Sequence, residues 1–285
     1  MQNTLSSLPF KPIEKHHAEI FIGDKKCTPF LRWAGGKRWL LKQLHNYLPV
    51  NGFNQYHEPF IGGGSVFFHL QPEKAFISDL NKELINAYIA VQQDVELVIG
   101  FLKDFKNTEE GYYQIRSFKF DDFFQEAARF IYLNQTSFNG IYRVNLNGEY
   151  NVPYGKRHNF QFNYNNLRNA SLNLKNVNFS SGDFSNIMQN VKKGDLVFLD
   201  PPYTVTHNSN GFIQYNQKIF SSSEQYRLSE MIDKIKNIGA YYILTNAAHP
   251  EVKNIFQKDD AFFEVSRAST IGGTGSKRGK YAELI

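Results

Sequence analysis

Cysteine is nearly absent from this sequence, which has one, Cys27, among 285 residues. A lone thiol excludes a framework of internal disulfides, argues against a zinc site built from cysteines and favours a reducing compartment. Apolar runs of the roughly 18–20 residues that span a bilayer are missing too. Residues 1–27 lack the apolar core of a secretion signal and are interpreted as an N-terminal extension. We therefore expect a cytoplasmic protein without a membrane partner.

A strong excess of one charge is also missing. The 32 Lys and Arg residues exceed the 27 Asp and Glu residues by five, and the isoelectric point is near 9.0. This balance favours a polyanionic partner only weakly. A hydrophobic fraction of 41% with 21% charged residues excludes a disordered or fibrous chain. The length suits one large α/β domain that carries an inserted module.

Alternating strand and helix patterns in the first part of the chain predict a parallel, doubly wound sheet. Leucines at helical spacing predict a helix over residues 37–48. A strand ending at Glu58 is followed by a glycine turn and a helix that begins near Ser65. A second strand ends at Asp79, and Asn81 is placed to cap a long helix that runs towards Phe101. This order is typical of a Rossmann-like fold.

The rhythm changes over residues 106–169, which we interpret as an inserted module. A Phe-rich segment over 118–132 predicts a helix, and the Asn-Gly pairs at 139–140 and 147–148 predict a β-hairpin. The α/β pattern then returns. Strands are expected at 177–180, 196–199, 241–244 and 262–265, with a helix opened by a capping box at 221–224. The core is thus expected in two pieces, 28–105 and 170–285.

The glycine turn after the first strand offers backbone amides to a ligand at a helix N-terminus. Its glycines, Gly62 and Gly64, do not complete the dinucleotide fingerprint, because Phe67 stands where the third glycine is required. Asp79 is placed to accept hydrogen bonds from two ribose hydroxyls. Together these residues describe a nucleoside-bearing cofactor without a pyrophosphate, such as S-adenosylmethionine. A purely structural tight turn fits the glycines equally well.

A buried strand ends in a motif suited to an exocyclic amine, Asp200-Pro201-Pro202-Tyr203. Two prolines stiffen the loop, so that its carbonyls can point into a pocket. The Asp200 carboxylate can accept one N–H of the amine and the Pro201 carbonyl the other, which localises the nitrogen lone pair for methyl transfer. The ring of Tyr203 offers a face on which a base can stack. A stiff turn without chemistry is the alternative.

In these motifs the sequence resembles the Dam family, the D12 class of DNA adenine-N6 methyltransferases, from about Thr28 onwards. The resemblance implies a Rossmann-like, S-adenosylmethionine-dependent methyltransferase core with an inserted helical and β-hairpin target-recognition domain at 106–169. It implies no metal. The implied catalytic residues are Asp200, Pro201, Pro202 and Tyr203. The implied cofactor-binding residues are Trp33, Lys37, Phe60, Gly62, Gly64, Asp79, Asp183, Phe184 and Asp200.

The insert is similar to the target-recognition hairpin of GATC-specific members, which implies duplex DNA as the partner. Arg143 would read a guanine, Ile141 would enter the base stack, Asn139 and Pro153 would contact bases, and Lys156 a phosphate or an outer base. Phe138 stands where the family often has Tyr. The implied DNA-binding residues are Arg32, Phe138, Asn139, Ile141, Arg143, Pro153, Lys156, Lys277 and Arg278.

The combined expectation is site-specific methylation of adenine N6, within GATC, at a base flipped out of the duplex. A monomer located at bacterial or phage-type DNA is expected, either solitary or alongside a restriction endonuclease for the same site. Methylation of RNA bases or of a protein glutamine, and an inactive DNA-binding module, are the alternatives. For the glycine-rich, basic segment that holds Lys277 and Arg278, phosphate binding and a merely solvated loop both fit.

Overall fold

The computed structural model describes residues 27–203, 220–258, 260–268 and 280–285. Within these ranges, no helix combines the length and the apolar character that a membrane span requires. The α-helices are α1 Ser65–Leu70, α2 Lys82–Gln93, α3 Val95–Asp104, α4 Glu109–Ser117, α5 Phe123–Thr136, α6 Tyr164–Leu174, α7 Ser222–Ile238 and α8 Pro250–Phe256. The strands are β1 Tyr56–Glu58, β2 Ala75–Asp79, β3 Val177–Ser181, β4 Leu196–Leu199, β5 Tyr241–Leu244, β6 Asn246–Ala247, β7 Glu264–Ala268 and β8 Lys280–Leu284.

The central sheet has five parallel strands in the order β3-β2-β1-β4-β5. The predicted parallel α/β fold is thus confirmed. Residues Leu196 to Leu199 of β4 are all buried, as expected for a strand covered on both faces. β1 lies between β2 and β4, so the glycine turn after β1 and the Asp200 loop after β4 emerge side by side. Ligands of open α/β sheets bind at such a carboxyl edge.

Several local signals are confirmed. The Asn81 side chain accepts the amide of Leu84 and caps α2, and the Ser221 hydroxyl accepts the amide of Glu224 at the start of α7. Gly239 ends α7 with a positive φ of 80°. The predicted long helix after Asn81 is interrupted, because Asp94 leaves the helical conformation and its side chain caps α3 instead.

The predicted helix over residues 37–48 is wrong. This segment forms successive turns with i to i−3 hydrogen bonds and one 3-10 helix, Leu44–Asn46. Leu40 and Leu44 are nevertheless fully buried, so the apolar spacing reports burial rather than helix type. Lys37, which would occupy the first turn of a helix, is instead directed inwards to Asp200.

In residues 106–169, α4 and α5 pack together and an antiparallel turn follows. Isolated bridges pair Val144 with Tyr150 and Ser137 with Tyr154. The Asn145 amide donates to the Glu149 carbonyl, which closes the tip. The buried side chains of α5 belong to the same hydrophobic cluster as those of β1 and β2, so the apolar core is continuous from sheet to insert.

A second, antiparallel sheet has the order β6-β8-β7. The last strand expected from sequence, 262–265, is displaced to Glu264–Ala268, and its partner Lys280–Leu284 was not expected. Pairing with a segment 12 residues or more away in sequence decides this register, and local propensity does not carry that information. Through β8 this sheet brings Glu283 to the site described next.

Candidate active site

Asp200 follows the last residue of β4, and its carboxylate is held from two sides. The ammonium of Lys37 lies 2.6 Å from Oδ1, and the Thr245 hydroxyl donates to the same oxygen at 2.7 Å. Burial raises the pKa of Asp200, Lys37 and Thr245 oppose that rise, and the negative charge of Glu283 adds to it. The carboxylate is therefore positioned as an acceptor.

Tyr203, three residues on, is fixed at both its hydroxyl and its ring. The hydroxyl donates to Oε2 of Glu283 at 2.7 Å, and Glu283 is only 1% exposed. The Lys37 ammonium lies 4.9 Å from the centre of the Tyr203 ring, a cation–π distance. Between them, Pro201 is buried and Pro202 half-buried. Lys37 thus contacts the side chains of both Asp200 and Tyr203.

A second part of the site consists of the glycine turn and the Asp79 carboxylate, and is called the acidic corner. The Gly62 amide donates to Oδ2 of Asp79, and the Asn81 amide donates to Oδ1. Burial raises the pKa of Asp79 to about 6, against the opposing effect of these amides. Gly62 and Gly64 both have positive φ, 46° and 70°. A Cβ at Gly64 would lie 2.9 Å from the Tyr88 hydroxyl, so a larger residue would clash with the core.

Trp33 packs directly over this turn. A Cβ on Gly62 would lie 2.6 Å from Cδ1 of Trp33, a distance that real Cβ atoms do not reach. The indole also stacks on Tyr142, with ring centres 5.6 Å apart and planes 22° apart. The predicted cofactor residue therefore contacts both the glycine turn and the insert.

Phe60, two residues before Gly62, packs against Phe184. Their rings stack with centres 5.5 Å apart, and the ring of Phe220 meets Phe60 edge-on at 5.7 Å. The Asp183 carboxylate caps the following 3-10 helix at Ser185 and pairs with Arg227 at 2.8 Å. Burial pushes the pKa of Asp183 upwards, but the hydrogen bonds from Ser185 and Arg227 outweigh it and lower the pKa. Phe184 is buried, and Asp183 is half-exposed beside it.

The predicted DNA-reading residues lie on the antiparallel turn of the insert. Arg143 is exposed, and its Nε donates to Oδ1 of Asn151 at 2.7 Å. Asn139 and Lys156 are exposed with positive φ, 56° and 51°. The predicted readers Phe138 and Pro153 are exposed as well, and the Phe138 amide donates to the Pro153 carbonyl. Ile141 is half-buried.

Arg32 belongs to the N-terminal segment, yet its contacts are with the insert. The Asn134 side chain accepts from the Arg32 amide at 2.8 Å and donates to its carbonyl at 2.7 Å. A Cβ on Gly140 would lie 2.6 Å from Cδ of Arg32. Burial and the charge of Arg157 lower the pKa of Arg32, and its Nη1 is buried with no hydrogen-bond partner among the described residues. A guanidinium with an unsatisfied donor beside the hairpin suits an anionic or polar ligand.

The structure brings together Lys37, Asp200 and Tyr203, and separately Asp79 with the glycine turn. It places Arg32 next to the hairpin and leaves Arg143 on the surface. Lys277 and Arg278 lie outside the described residues. Sequence reasoning missed Thr245, Glu283, Glu83 and Tyr142. No local motif marks these residues, although Tyr142 adjoins Arg143 and Thr245 ends the predicted strand 241–244.

Comparison with known proteins now decides the family. The model of the D12 class N6 adenine-specific DNA methyltransferases matches residues 33–271. The chain belongs to this family. It is 35% identical over 268 residues to the Type II methyltransferase M1.LlaDCHI of Lactococcus lactis subsp. cremoris, an alignment that covers 90% of this chain and 94% of the relative.

Two further relatives extend the comparison. The enzyme is 37% identical over 249 residues to the Type II methyltransferase M.MjaIII of Methanocaldococcus jannaschii, which covers 78% of this chain and 85% of the relative. It is 30% identical over 268 residues to the DNA adenine methylase of Salmonella typhi, covering 92% and 95%. The matched range of the methyltransferase includes Trp33, Asp79, Arg143 and the motif from Asp200 to Tyr203. Methyltransferases generally take their methyl group from S-adenosylmethionine.

Proposed function

We propose that this DNA adenine methyltransferase uses S-adenosylmethionine to methylate N6 of an adenine flipped out of duplex DNA, within GATC. The observation that carries the proposal is the fixed pair of Asp200 and Tyr203 beside the acidic corner of Asp79. Asp200 and Tyr203 offer an acceptor and a stacking face to a base, and Asp79 offers a carboxylate to a ribose. Both lie at the same carboxyl edge of the sheet.

The residues at the edge fit S-adenosylmethionine by the chemistry of their donors and acceptors. Asp79 would accept the ribose hydroxyls, and Phe60 and Phe184 offer flat apolar surface to an adenine ring. Trp33 and Lys37 would complete the pocket on the side of the insert. When bound, S-adenosylmethionine supplies an electrophilic methyl group.

Asp200 and Pro201 would activate the target nitrogen. The amine of adenine has two N–H donors, and its lone pair is delocalised into the ring. The Asp200 carboxylate would accept one N–H and the Pro201 carbonyl the other, which draws the lone pair out of conjugation. Asp200 would then hold the proton that the methylated nitrogen releases. Tyr203 would hold the ring by stacking, a contact of about 1–3 kcal/mol.

The insert would hold the duplex while the base is out of the stack. Leaving the stack costs a few kcal/mol, which protein contacts with the opened site must offset. Ile141 would enter the gap, with Asn139 and Pro153 next to it. Arg143 would replace its contact with Asn151 by a two-point contact with a guanine. Arg32 and Lys156 would add contacts at the flanks, and Lys277 and Arg278 would bind phosphates.

The central experiment is methylation of unmethylated genomic DNA in vitro, followed by mapping of the modified adenines by sequencing. We expect N6-methyladenine at GATC. The matched variant Asp200→Asn keeps the shape of the side chain but loses the carboxylate, and is expected to lose activity by at least about 100-fold. Modification at cytosine, or full activity of Asp200→Asn, would contradict the proposal. Modification at another adenine-containing sequence would contradict GATC alone.

Arg143 is tested by its discrimination among single-base variants of the mapped site. Arg143→Ala is expected to lose about 1–3 kcal/mol of discrimination at one guanine. Arg168→Ala, which breaks an ion pair with Glu96 on the surface of α6, is the control and should leave discrimination unchanged. Equal discrimination by Arg143→Ala and wild type would show that Arg143 does not recognise a base.

Two of the relatives described above are named Type II methyltransferases, and this supports a restriction endonuclease as a candidate partner. If such an enzyme acts on the same sequence, DNA methylated by this protein resists an endonuclease that cuts unmethylated GATC. Cleavage of fully methylated DNA would count against that shared site.

A further inference from the structure

We propose that Tyr142 is a positioning residue that couples occupancy of the cofactor pocket to DNA binding by the recognition hairpin. The inference rests on the proposed function, because it takes Trp33 and Asp79 as cofactor residues and Arg143 as a DNA reader. It adds a residue for which the family resemblance implies no role. The contacts of Tyr142 carry it.

Tyr142 lies between two predicted DNA-binding residues, Ile141 and Arg143, but its own side chain faces the protein. Its ring stacks on Trp33, and its hydroxyl donates to Oε2 of Glu83 at 2.8 Å. Tyr142 is therefore tied to the methyltransferase core by a stacking contact and by a hydrogen bond. These two contacts tie the position between Ile141 and Arg143 to Trp33 and to Glu83.

Both contacts of Tyr142 connect it to the acidic corner around Asp79. Trp33 packs against Gly62, whose amide donates to Asp79. Glu83 lies in the first turn of α2, two residues after Asn81, whose amide donates to the other oxygen of Asp79. A ligand that binds the Asp79 carboxylate thus contacts the common origin of both routes to Tyr142.

Two aromatic rings of the insert also pack against the ring of Tyr142. Phe130 of α5 lies 5.6 Å from Tyr142, and Tyr150 meets it edge-on at 5.8 Å. The Tyr150 hydroxyl contacts the Ile141 carbonyl at 3.0 Å. Tyr142 is packed between the core and the hairpin, so the two cannot shift independently without repacking its ring. Close packing of this kind transmits displacements instead of absorbing them.

Coupling of two binding sites is reciprocal, because each ligand changes the affinity for the other by the same factor. We expect the cofactor analogue sinefungin to tighten binding of a duplex with the mapped recognition site by about five- to 150-fold, the usual range for coupled sites. Tyr142→Ala should reduce this factor to nearly one. Tyr142→Phe, which keeps the stack and loses the bond to Glu83, should give an intermediate factor.

The experiment measures duplex affinity by fluorescence anisotropy with and without saturating sinefungin, and sinefungin affinity by calorimetry with and without duplex. Tyr113→Ala removes a tyrosine on the surface of α4 and is the matched control, for which the wild-type factor is expected. Glu83→Ala and Tyr142→Phe should reduce coupling equally, and the double variant no further. A variant that only unfolds the protein would lose both separate affinities, whereas the proposal requires each to stay within about threefold of wild type.

Three results overturn the inference: a wild-type factor of one, a wild-type factor in Tyr142→Ala, or additive losses in the double variant. A wild-type protein that does not bind sinefungin at all overturns the proposed function first, and the calorimetry alone shows that. Sinefungin binding with no coupling leaves the proposed function intact and rejects only the role of Tyr142. The two failures are therefore distinguishable.

Discussion

The ammonium of Lys37 lies 2.6 Å from the Asp200 carboxylate and 4.9 Å above the ring of Tyr203. These are the two groups that the target adenine is proposed to contact. Lys37 is buried, and its ammonium also donates to the Gly35 carbonyl at 2.8 Å. One cation thus pairs with the Asp200 carboxylate and lies over the ring of Tyr203.

Replacement of Lys37 by Met is expected to shift the acid limb of the pH–rate profile to higher pH. Lys37 opposes the burial that raises the pKa of Asp200, so its loss raises that pKa further. The profile of kcat/KM for DNA reports the free enzyme and is the measurement of choice. Lys37→Arg keeps the charge, and Lys42→Met removes an exposed lysine. An acid limb at the wild-type pH in Lys37→Met would show that this ion pair does not tune Asp200.

The contact between Tyr203 and Glu283 is expected to act as a unit in catalysis. Tyr203→Phe keeps the stacking ring and loses the donor, and Glu283→Ala loses the acceptor. Each should lower kcat about tenfold, equivalent to roughly 1.4 kcal/mol of positioning. The double variant should be no slower than the slower single variant. Losses that multiply in the double variant would mean that Glu283 does not act through Tyr203.

Asp79 is expected to make cofactor binding dependent on pH in the acid range. The carboxylate form accepts hydrogen bonds from hydroxyls, and burial raises its pKa to about 6. Affinity for sinefungin should therefore fall as pH decreases below about 6, approaching tenfold per pH unit once the acid is mostly protonated. Because the folded pKa is raised above 3.8, the same group favours the folded state more at low pH and loses that contribution as pH rises towards 6.

Calorimetric titrations between pH 5 and 8 test the role of Asp79, with Asp79→Asn as the isosteric variant. The variant should bind more weakly, with a nearly flat pH profile. If wild type and Asp79→Asn show the same slope below pH 6, another group causes the pH dependence.

Asn134 is expected to contribute strongly to stability. Its fully buried amide makes two hydrogen bonds to the backbone of Arg32, and Asn134→Ala would leave both backbone groups without their partner. A loss of about 2–4 kcal/mol in the free energy of unfolding is expected, measured by urea denaturation. Asn237→Ala, at an exposed asparagine of α7, is a control for substitution of a helical asparagine. A change below about 0.5 kcal/mol in Asn134→Ala would show that water replaces the amide without cost.

The parts of the fold that follow from local sequence were predictable. A fully apolar run predicted β4, and the capping residues Asn81 and Ser221 predicted the starts of α2 and α7. The glycine turn was predicted between a strand and a helix, where the structure has it. The turn segment after Lys37 was mistaken for a helix, because leucine spacing reports burial and does not distinguish an α-helix from successive 3-10 turns.

For the site, sequence supplied the motif residues but not the residues that hold them. Thr245 and Glu283 contact Asp200 and Tyr203 from 45 and 80 residues away in sequence. A single Thr after a strand or a single Glu within the last strand has no pattern of its own. Their roles depend on the pairing of β4 with β5 and of β8 with its neighbours, which is a property of the folded sheet.

The hydrogen bonds between Asn134 and Arg32 have a consequence for chimaeras in which the insert is exchanged between relatives. The segment before Trp33 is held by α5 through Asn134 and through Gln135, whose amide donates to the Phe30 carbonyl. A chimaera that swaps only residues 106–169 would join a foreign α5 to a native partner segment and break these bonds. The unit to exchange is therefore expected to be discontinuous, with residues 28–33 moved together with residues 106–169.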